Sequence, residues 1–416
     1  MKAVGVVVEY NPFHNGHLHH LTEARKQAKA DVVIAVMSGY FLQRGEPAIL
    51  PKWERTSLAL QGGADLVVEL PYAFSTQKAE WFATGAVSIL AALEADALCF
   101  GSEEGTIEPF HRLYHFMAKH RAAWDRMIKE ELDKGMSYPT ATSLAFKRLE
   151  GSAEHLDLSR PNNILGFHYV KAIYDLHTSI KAMTIPRIKA GYHDDSLNES
   201  SIASATSIRK SLKTKEGWQM VDRVVPSYTT EMLKSFEKET TFLPSWERLF
   251  PLLKYRLLTA TPEQLHAIYE GEEGLEYRAL KTIVSATSFH DWMTKMKTKR
   301  YTWTRIQRYA THLFTNTTKE EIHSVLPRGT ESLPYIRLLG MTSRGQMYLN
   351  GKKKQLTTPV ITRPAKVDDR MMNLDLRAAF SYYASFPPSL QQKRLKEEFH
   401  RTPIRIDHKP EPKKEA

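Results

Sequence analysis

Residues 3–20 read AVGVVVEYNPFHNGHLHH, an apolar run followed by a polar turn and the start of a helical pattern. The β-branched run Ala3–Tyr10 predicts a buried strand, and the spacing of apolar residues over positions 16–30 predicts a helix. The segment His14–His17 then lies where strand and helix meet. Because the first turn of a helix presents free N–H groups and a positive dipole end, such a junction favours an anion.

The alternation of strand and helix patterns continues to about residue 100. Continuous apolar strands separated by helices predict an α/β fold, Rossmann-like, with a parallel sheet covered on both faces. In such sheets ligands bind beyond the carboxyl ends of the strands, where Tyr10–His17, Ser38–Glu46 and Gly101 fall. The other elements predicted in this part are the strands Asp31–Met37, Leu66–Leu70 and Ala95–Phe100 and the helices Trp53–Gly62 and Gln77–Leu93.

The pattern becomes mainly helical further along the chain. Residues 106–175 predict helices, Ser179–Ile185 one more strand, and a helix begins near Ser204. We predict an α/β domain at 1–217, a mainly α-helical domain at 218–408 and a disordered tail at 409–416. The candidate helices of the second domain are Phe250–Leu258, Pro262–Tyr269, Trp303–Phe314 and Lys319–Ser324, while residues 331–349 and those after 359 show no clear pattern.

The net charge of +11 is concentrated in the second half of the chain. Residues 1–220 contain 25 basic and 25 acidic side chains, whereas residues 221–416 contain 33 and 22. This concentration indicates a polyanionic partner for the second half. The charge alone is equally compatible with RNA, DNA or an anionic membrane surface as the partner.

The single cysteine and the lack of long apolar segments argue against a disulfide-rich, a secreted or a membrane-spanning protein. Cys99 excludes an internal disulfide framework, and we interpret it as a small buried hydrophobe suited to a reducing cytoplasm. The apolar N-terminal stretch is short and runs into Glu9, which indicates a strand rather than a signal peptide. No segment reaches the roughly 18 apolar residues that a membrane span needs. We expect a cytoplasmic protein with no membrane partner, and no obligate protein partner is evident.

The first motif that predicts chemistry lies in the turn after the first strand. His14 and His17 are three residues apart, so that both imidazoles can reach the same phosphate oxygens. Gly16 has no side chain to keep a phosphate chain away from the backbone. With His19 and His20 the segment contains four histidines within seven residues, a density that is also found at zinc sites. No carboxylate or thiol lies nearby at the spacing of zinc ligands, so we expect these residues to hold no metal.

A second motif lies at the helix predicted near residue 204. Ser204 and Thr206 place hydroxyls at the helix start, and Arg209 follows one turn later. On its own this pattern fits a helix cap followed by a solvated arginine equally well. Together with the first motif it indicates the other half of a triphosphate clamp.

The two motifs resemble the signature of the HIGH-type nucleotidyl transferase superfamily, whose second motif runs Ser-x-Thr-x-x-Arg. Longer blocks at residues 9–17, 38–47, 63–71 and 299–308 are similar to the bacterial tRNA(Met) cytidine acetate ligase family. These blocks read EYNPFHNGH, SGYFLQRGEP, GADLVVELP and KRYTWTRIQR.

The resemblance implies a two-step reaction. Acetate would attack the α-phosphate of ATP, giving acetyl-adenylate and pyrophosphate, and the N4 amine of the wobble cytidine of elongator tRNA(Met) would then take the acetyl group. Such chemistry needs no protein nucleophile, only groups that hold two anions together and neutralise growing charge. The residues implied as catalytic are His14, His17, Thr206 and Arg209, with Mg²⁺ on the phosphates.

The resemblance also implies which residues contact ATP. They lie mainly in the first βα turn, with a few from later parts of the chain. These residues are Val7, Val8, Glu9, Tyr10, Asn11, Pro12, Phe13, His14, Asn15, Gly16, His17, His20, Gly101, Asn162, Arg187, Ile188 and Ser204.

Cations interleaved with aromatic residues around position 300 predict an RNA contact. This arrangement suits phosphate contact combined with base stacking, although a solvated helix face is the ordinary alternative. The charge asymmetry and the family resemblance favour RNA. The residues expected to bind it are Lys299, Arg300, Trp303, Arg305 and Arg308.

Two other functions are compatible with parts of this pattern. A cofactor adenylyl transferase, which joins ATP to a phosphorylated small molecule, would share the first motif but would leave the basic half without a role. A non-catalytic RNA-binding protein would need the basic half only, and two intact nucleotide motifs argue against it.

Overall fold

The protein is described here by a computed structural model, which covers residues 1–136, 138–149, 156–158, 160–187, 203–326, 333–364 and 369–406. The predicted tail at 409–416 lies outside these described residues, as does Ile188 of the expected ATP contacts.

Five parallel strands form the main part of the sheet, in the order β5-β4-β1-β2-β3. The strands β1 to β3 are buried almost throughout because helices cover both faces of the sheet. The prediction of an α/β fold with a parallel sheet is therefore confirmed. The strands are β1 (Ala3–Val8), β2 (Val32–Ser38), β3 (Leu66–Leu70), β4 (Ala97–Ser102) and β5 (Lys181–Pro186).

The second half of the chain adds three more strands to this sheet. Strand β6 (Ile336–Thr342) pairs antiparallel with β3, and β7 (Val360–Ile361) and β8 (Ile404–Ile406) pair with β6. The short apolar run of β6 has no periodicity that separates a buried strand from a buried helix, so its sequence did not predict a strand. The chain after residue 217 is still mainly helical among the described residues.

The helices of the first half lie on both faces of the sheet, and the three whose limits were predicted begin and end within two residues of those limits. Helix α1 starts directly after the first βα turn. The helices are α1 (Asn15–Ala28), α2 (Lys52–Gln61), α3 (Tyr72–Ser75), α4 (Ala79–Ala92), α5 (Glu108–Asp133), α6 (Tyr138–Arg148), α7 (Pro161–Asp175), α8 (Ala205–Ser211) and α9 (Lys215–Val224).

The helices of the second half pack against the same hydrophobic core as the sheet. Phe41, after β2, contacts both Trp246 and Phe314 through their rings, at centroid distances of 6.4 and 6.3 Å. The helices are α10 (Ser227–Thr240), α11 (Trp246–Leu258), α12 (Pro262–Ala267), α13 (Leu275–Ile283), α14 (Phe289–Met296), α15 (Trp303–Phe314), α16 (Lys319–Val325), α17 (Ser343–Lys352), α18 (Arg370–Tyr383) and α19 (Pro388–His400).

A buried cluster of charged side chains joins the two halves. Lys52 Nζ, on α2, lies 2.7 Å from Glu69 on β3 and 2.6 Å from Glu398 on α19. Arg337 Nη1, on β6, lies 2.7 Å from the same Glu398 carboxylate. Tyr40 completes the set by donating its hydroxyl to Glu398 at 2.6 Å. All five side chains are buried, so the charges of this cluster are compensated by one another rather than by water.

Asp375 lies close to this cluster and makes the stability depend on pH. Its carboxylate accepts hydrogen bonds from Tyr72 N at 2.6 Å and from the Tyr335 hydroxyl at 2.7 Å. Burial, reinforced by the negative charge of Glu69, raises the pKa of Asp375 to about 7. The folded protein therefore retains a proton that the unfolded chain releases near pH 4.

We expect the free energy of unfolding to fall by more than about 1 kcal/mol as pH rises from about 4 to about 7. The sign follows because a raised folded pKa stabilises the protein below the unfolded pKa and loses that stabilisation as pH rises through the folded value. Asp375→Asn, which cannot titrate, should flatten this slope in urea unfolding at a series of pH values. Asp222→Asn, at an exposed ion pair with Lys234, serves as the control. An unchanged slope in Asp375→Asn would contradict the assignment.

Candidate functional site

The turn between β1 and α1 holds two histidines in a fixed arrangement. His14 is the N-cap of α1, and its Nδ1 accepts a hydrogen bond from Gly16 N at 3.0 Å. His17 Nδ1 accepts in return from His14 N at 3.3 Å, which closes a capping box. The two rings stack with their centroids 3.7 Å apart. Because both Nδ1 atoms accept, the proton of each neutral ring sits on Nε2, which is then a donor available to a ligand.

Both imidazoles are held in their neutral form. Burial, with a smaller effect from the Arg187 charge, lowers the pKa of His14 to about 4. Burial and the adjacent His14 lower the pKa of His17 well below its usual value. At neutral pH the pair therefore offers N–H donors rather than positive charge, and an arriving phosphate would favour protonation.

His20 lies one turn further along α1 and faces the same region. Burial lowers its pKa to about 4. Its Nε2 is buried and has no hydrogen-bond partner among the described residues. Hydrogen bonding to the Cys99 backbone acts against this lowering of the pKa, so His20 is tied to β4 at the edge of the site.

The second motif lies directly against the first turn. Ser204 Oγ caps α8 by accepting a hydrogen bond from Ser207 N at 3.1 Å. Arg209 reaches back to the turn, where Nη1 donates to the Asn11 carbonyl at 2.9 Å and Nη2 lies 2.7 Å from Glu46. Thr206, in the first turn of α8, is exposed. The structure thus brings together two motifs that are about 190 residues apart in sequence.

Residues at the ends of β4 and β5 form a third part of the site. Arg187 Nη1 donates to Asn162 Oδ1 at 2.8 Å, and Asn162 Nδ2 donates to Glu103 at 2.5 Å. Arg187 also passes over Gly101, where an added Cβ would lie 3.3 Å from Arg187 Cγ. The same arginine is close enough to His14 to lower its pKa, so all three parts meet at one edge of the sheet.

The remaining residues of the first turn make contacts that fix its shape. The Asn11 side chain accepts a hydrogen bond from Ile49 N at 2.7 Å, and the rings of Tyr10 and Phe13 pack edge to face with centroids 4.7 Å apart. Asn15 Nδ2 donates to the Arg223 carbonyl at 3.4 Å. Among the other expected contacts, Val8 and Pro12 are buried, and Val7, Glu9 and Gly16 are partly exposed.

Arg55 is a buried residue of this region that its sequence did not predict to be functional. It lies inside α2 and donates to the backbone carbonyls of Glu9 at 2.7 Å, Ser38 at 3.0 Å and Leu50 at 2.9 Å. These bonds hold the carboxyl ends of β1 and β2 together beneath the site. An arginine in an amphipathic helix ordinarily faces solvent, so the sequence carried no signal for this role.

The structure separates the residues expected to bind RNA into two groups. Lys299 is exposed, Trp303 is 37% exposed, and Arg300 and Arg305 both pair with Glu273 at 3.3 and 2.9 Å. Arg308 differs from these four residues in its burial. It is buried on α15, with Nε 2.8 Å from Glu270, because this part of the helix faces the core.

Comparison with known proteins shows the family to which this chain belongs. Residues 1–398 match the model of the family described as HIGH Nucleotidyl Transferase. The tRNA(Met) cytidine acetate ligase of Lysinibacillus sphaericus is 47% identical over 407 residues, which cover 97% of this chain and 100% of that protein. The enzyme of the same name from Anoxybacillus flavithermus is 48% identical over the same shares of the two chains. The chain belongs to the tRNA(Met) cytidine acetate ligase family.

Solved structures of this family share the fold. The crystal structure of Thermotoga maritima TmcAL bound with alpha-thio ATP matches with a TM-score of 0.88 and 33% identity, covering 98% of this chain and 100% of that one. The apo form of the same protein gives a TM-score of 0.89 and 34% identity over equal shares. The family resemblance drawn from the sequence blocks is therefore confirmed, while the individual site residues stay predictions.

The described residues contain neither a cluster of metal ligands nor a membrane-spanning helix. No three His, Cys, Asp or Glu side chains within that part of the chain are grouped so that they could hold a metal ion. None of the helices there combines the length and the apolar character that crossing a bilayer requires.

Proposed function

We propose that this protein is an ATP-dependent acetate ligase that forms acetyl-adenylate and transfers the acetyl group to N4 of the wobble cytidine of elongator tRNA(Met). The observation that carries this proposal is the hydrogen bond from Arg209 to the Asn11 carbonyl, which brings the second motif against the turn that holds His14 and His17. Membership of the tRNA(Met) cytidine acetate ligase family supports acetate and this tRNA as the substrates.

The first step needs donors that face the growing charge on the phosphates. The Nε2–H groups of His14 and His17 and the guanidinium of Arg209 are such donors, and the exposed Thr206 hydroxyl in the first turn of α8 is proposed to join them. They act without supplying a nucleophile, since the acetate oxygen attacks the α-phosphate. Donors that are held in place before the reaction cost no reorganisation when charge develops.

We propose that ATP binds along the sheet edge formed by the carboxyl ends of β1, β4 and β5. Asn162 and Arg187, which hydrogen bond to each other, and Gly101 beneath them would hold one end of the nucleotide. The first turn, His20 and Ser204 would hold the other. The residues of the first turn in this set are Val7, Val8, Glu9, Tyr10, Asn11, Pro12, Phe13, His14, Asn15, Gly16 and His17.

Mg²⁺ on the phosphates is part of this proposal. This ion commonly binds through phosphate oxygens, water and one or two carboxylates. The two carboxylates of this region already have partners, because Glu9 accepts a hydrogen bond from Gln43 N at 2.8 Å and Glu46 pairs with Arg209 at 2.7 Å, so phosphate oxygens and water would be the main ligands of the ion. When bound, Mg²⁺ would supply additional neutralisation of phosphate charge.

The second step requires a tRNA base that can reach the acetyl-adenylate. A wobble base is unpaired in its loop, so the protein need not open a duplex to present N4. We propose that Lys299, Arg300, Arg305 and Trp303 contact the tRNA, while Arg308 is excluded by its burial. A cytoplasmic location, where tRNA is modified, stays a prediction.

Incubation of the protein with labelled ATP, labelled acetate and bulk tRNA tests the proposal against its alternatives. Acetylated cytidine in elongator tRNA(Met), detected by mass spectrometry, is the expected result. A small adenylylated molecule without tRNA product would support a cofactor adenylyl transferase. Binding of tRNA without ATP cleavage would support an RNA-binding protein.

Replacing Lys299, Arg300 and Arg305 by alanine should weaken tRNA binding and reduce its salt dependence. Each lost phosphate contact is expected to lower the slope of log affinity against log salt by about 0.7 to 0.9. Acetate-dependent pyrophosphate exchange should remain near the wild-type rate, because these residues lie on the surface of α15 and the preceding loop. Equal losses of binding and exchange would contradict this separation of roles.

A further inference from the structure

Glu46 lies on a short closed loop, Leu42–Pro47, which we name the Glu46 loop. Leu42 N donates to the Glu46 carbonyl at 2.9 Å, and Gly45 N donates to the Leu42 carbonyl at 2.8 Å. The Glu46 carboxylate projects towards the site and lies 2.7 Å from Arg209 Nη2. The loop is also tied to the first turn, because Gln43 N donates to Glu9 Oε1 at 2.8 Å.

Helices of the second half hold the other side of the Glu46 loop. The Gly45 carbonyl accepts two hydrogen bonds, from Trp246 Nε1 on α11 at 2.7 Å and from Thr311 Oγ1 on α15 at 2.8 Å. Gln307 Nε2, also on α15, donates to the Arg44 carbonyl at 3.0 Å. Gly45 has a φ of +79°, and a Cβ there would lie 2.6 Å from the Gln307 carbonyl oxygen. The loop therefore has little freedom to move relative to α15.

We propose that Glu46 is a positioning residue that holds the Arg209 guanidinium over the polyphosphate site, and that α11 and α15 hold Glu46 in turn. This inference rests on the proposed function. Arg209 has five N–H donors and uses one on each terminal nitrogen, towards Asn11 and Glu46. The remaining donors have no hydrogen-bond partner among the described residues and are available to phosphate, and the fork is oriented before ATP arrives.

The proposed role of Glu46 is tested by measuring acetate-dependent pyrophosphate exchange with full-length variants. Glu46→Ala should lower kcat/KM for ATP by about tenfold to a hundredfold, since small misplacements of a reacting group have effects of this size. Glu46→Gln keeps an acceptor oxygen and should recover most of the loss. Glu80→Ala, which removes an ion pair with Lys171 far from the site, should leave the exchange unchanged. Thermal midpoints of all variants should stay close to that of the wild type, because a partly exposed ion pair contributes little to stability.

A double-mutant cycle distinguishes positioning from a general disturbance of the site. If Glu46 acts through Arg209, then Glu46→Ala should cause no further loss in an Arg209→Ala background. A loss of equal size in both backgrounds would overturn the proposal. If the wild-type protein shows no acetate-dependent exchange, the proposed function itself fails. If the wild type is active and Glu46→Ala matches it, only the role of Glu46 fails.

Thr311 offers a second variant that does not change the charge of the site. Thr311→Val has a similar shape but loses the hydroxyl that donates to the Gly45 carbonyl, so kcat/KM for ATP should fall in the same direction. Thr311→Ser keeps the hydroxyl and should retain the wild-type value. Equal values for the valine and serine variants would show that α15 does not hold the Glu46 loop.

Discussion

Replacing His17 by alanine should reduce acetate-dependent cleavage of ATP by about a hundredfold to a thousandfold, as expected when one preorganised donor is removed from a charge-stabilising site. His17 Nδ1 is occupied by the His14 backbone, which leaves Nε2–H for the phosphate oxygens. Its neutral state follows from burial, so the loss is of a directed hydrogen bond rather than of a resident charge. Release of labelled pyrophosphate in the presence of acetate measures the effect.

His19→Ala provides a control within the same helix. His19 follows the turn but is not among the residues predicted to contact ATP, so this variant should retain most of the activity. Circular dichroism and thermal unfolding should show that His17→Ala is still folded, although loss of the capping box can lower its stability by roughly 0.5–2 kcal/mol. Wild-type turnover by folded His17→Ala would refute the assignment of the first motif.

The largest effect on stability is expected at Glu398. Glu398→Ala would leave two buried cations, Lys52 and Arg337, to share the Glu69 carboxylate, and breaking a buried ion pair in this way commonly costs about 3–5 kcal/mol. Burial alone would raise the pKa of Glu398, but Lys52 and Arg337 together hold this pKa down to about 2. The stabilisation is therefore present above the ordinary pKa of a glutamate and is lost only as pH falls towards 2. Urea unfolding at pH 7 measures the change.

The neighbouring Glu397 gives a matched control for this prediction. Its carboxylate pairs with Arg394 at 3.3 Å and with Arg401 at 3.5 Å, and its side chain is 29% exposed. Glu397→Ala should therefore cost no more than about 1 kcal/mol. Similar losses at the two positions would show that the buried cluster does not join the halves as described. If Glu398→Ala lowered the urea stability of the second half of the chain alone, this result would also contradict that role.

The elements near the site could be predicted because their sequence signals are local. Leu66–Leu70 and Trp303–Phe314 were predicted with both ends as the structure has them, since an apolar run and a helical period are properties of consecutive residues. Strand β6 could not be predicted in the same way. Its seven residues acquire their role only by pairing with β3, more than 260 residues earlier in the chain.

Charges show the same distinction between local and long-range information. The excess of cations in the second half was visible from composition, but composition does not tell which cations are already paired. Arg308 was expected on the surface and is instead buried against Glu270, while Arg300 and Arg305 share Glu273. Burial and pairing depend on the packing of α15 against the core, and the face of a helix that packs is set by its neighbours.

The sequence by itself determined that residues 3–20 form a strand, a turn and a helix with two imidazoles at an anion-binding junction, because each of these features depends on adjacent residues. It also identified the family, through blocks long enough to be specific. Only the tertiary structure decided what surrounds that turn. Arg209 and Glu46 meet there because three segments converge at one sheet edge, and contacts between distant segments depend on packing that no local pattern encodes.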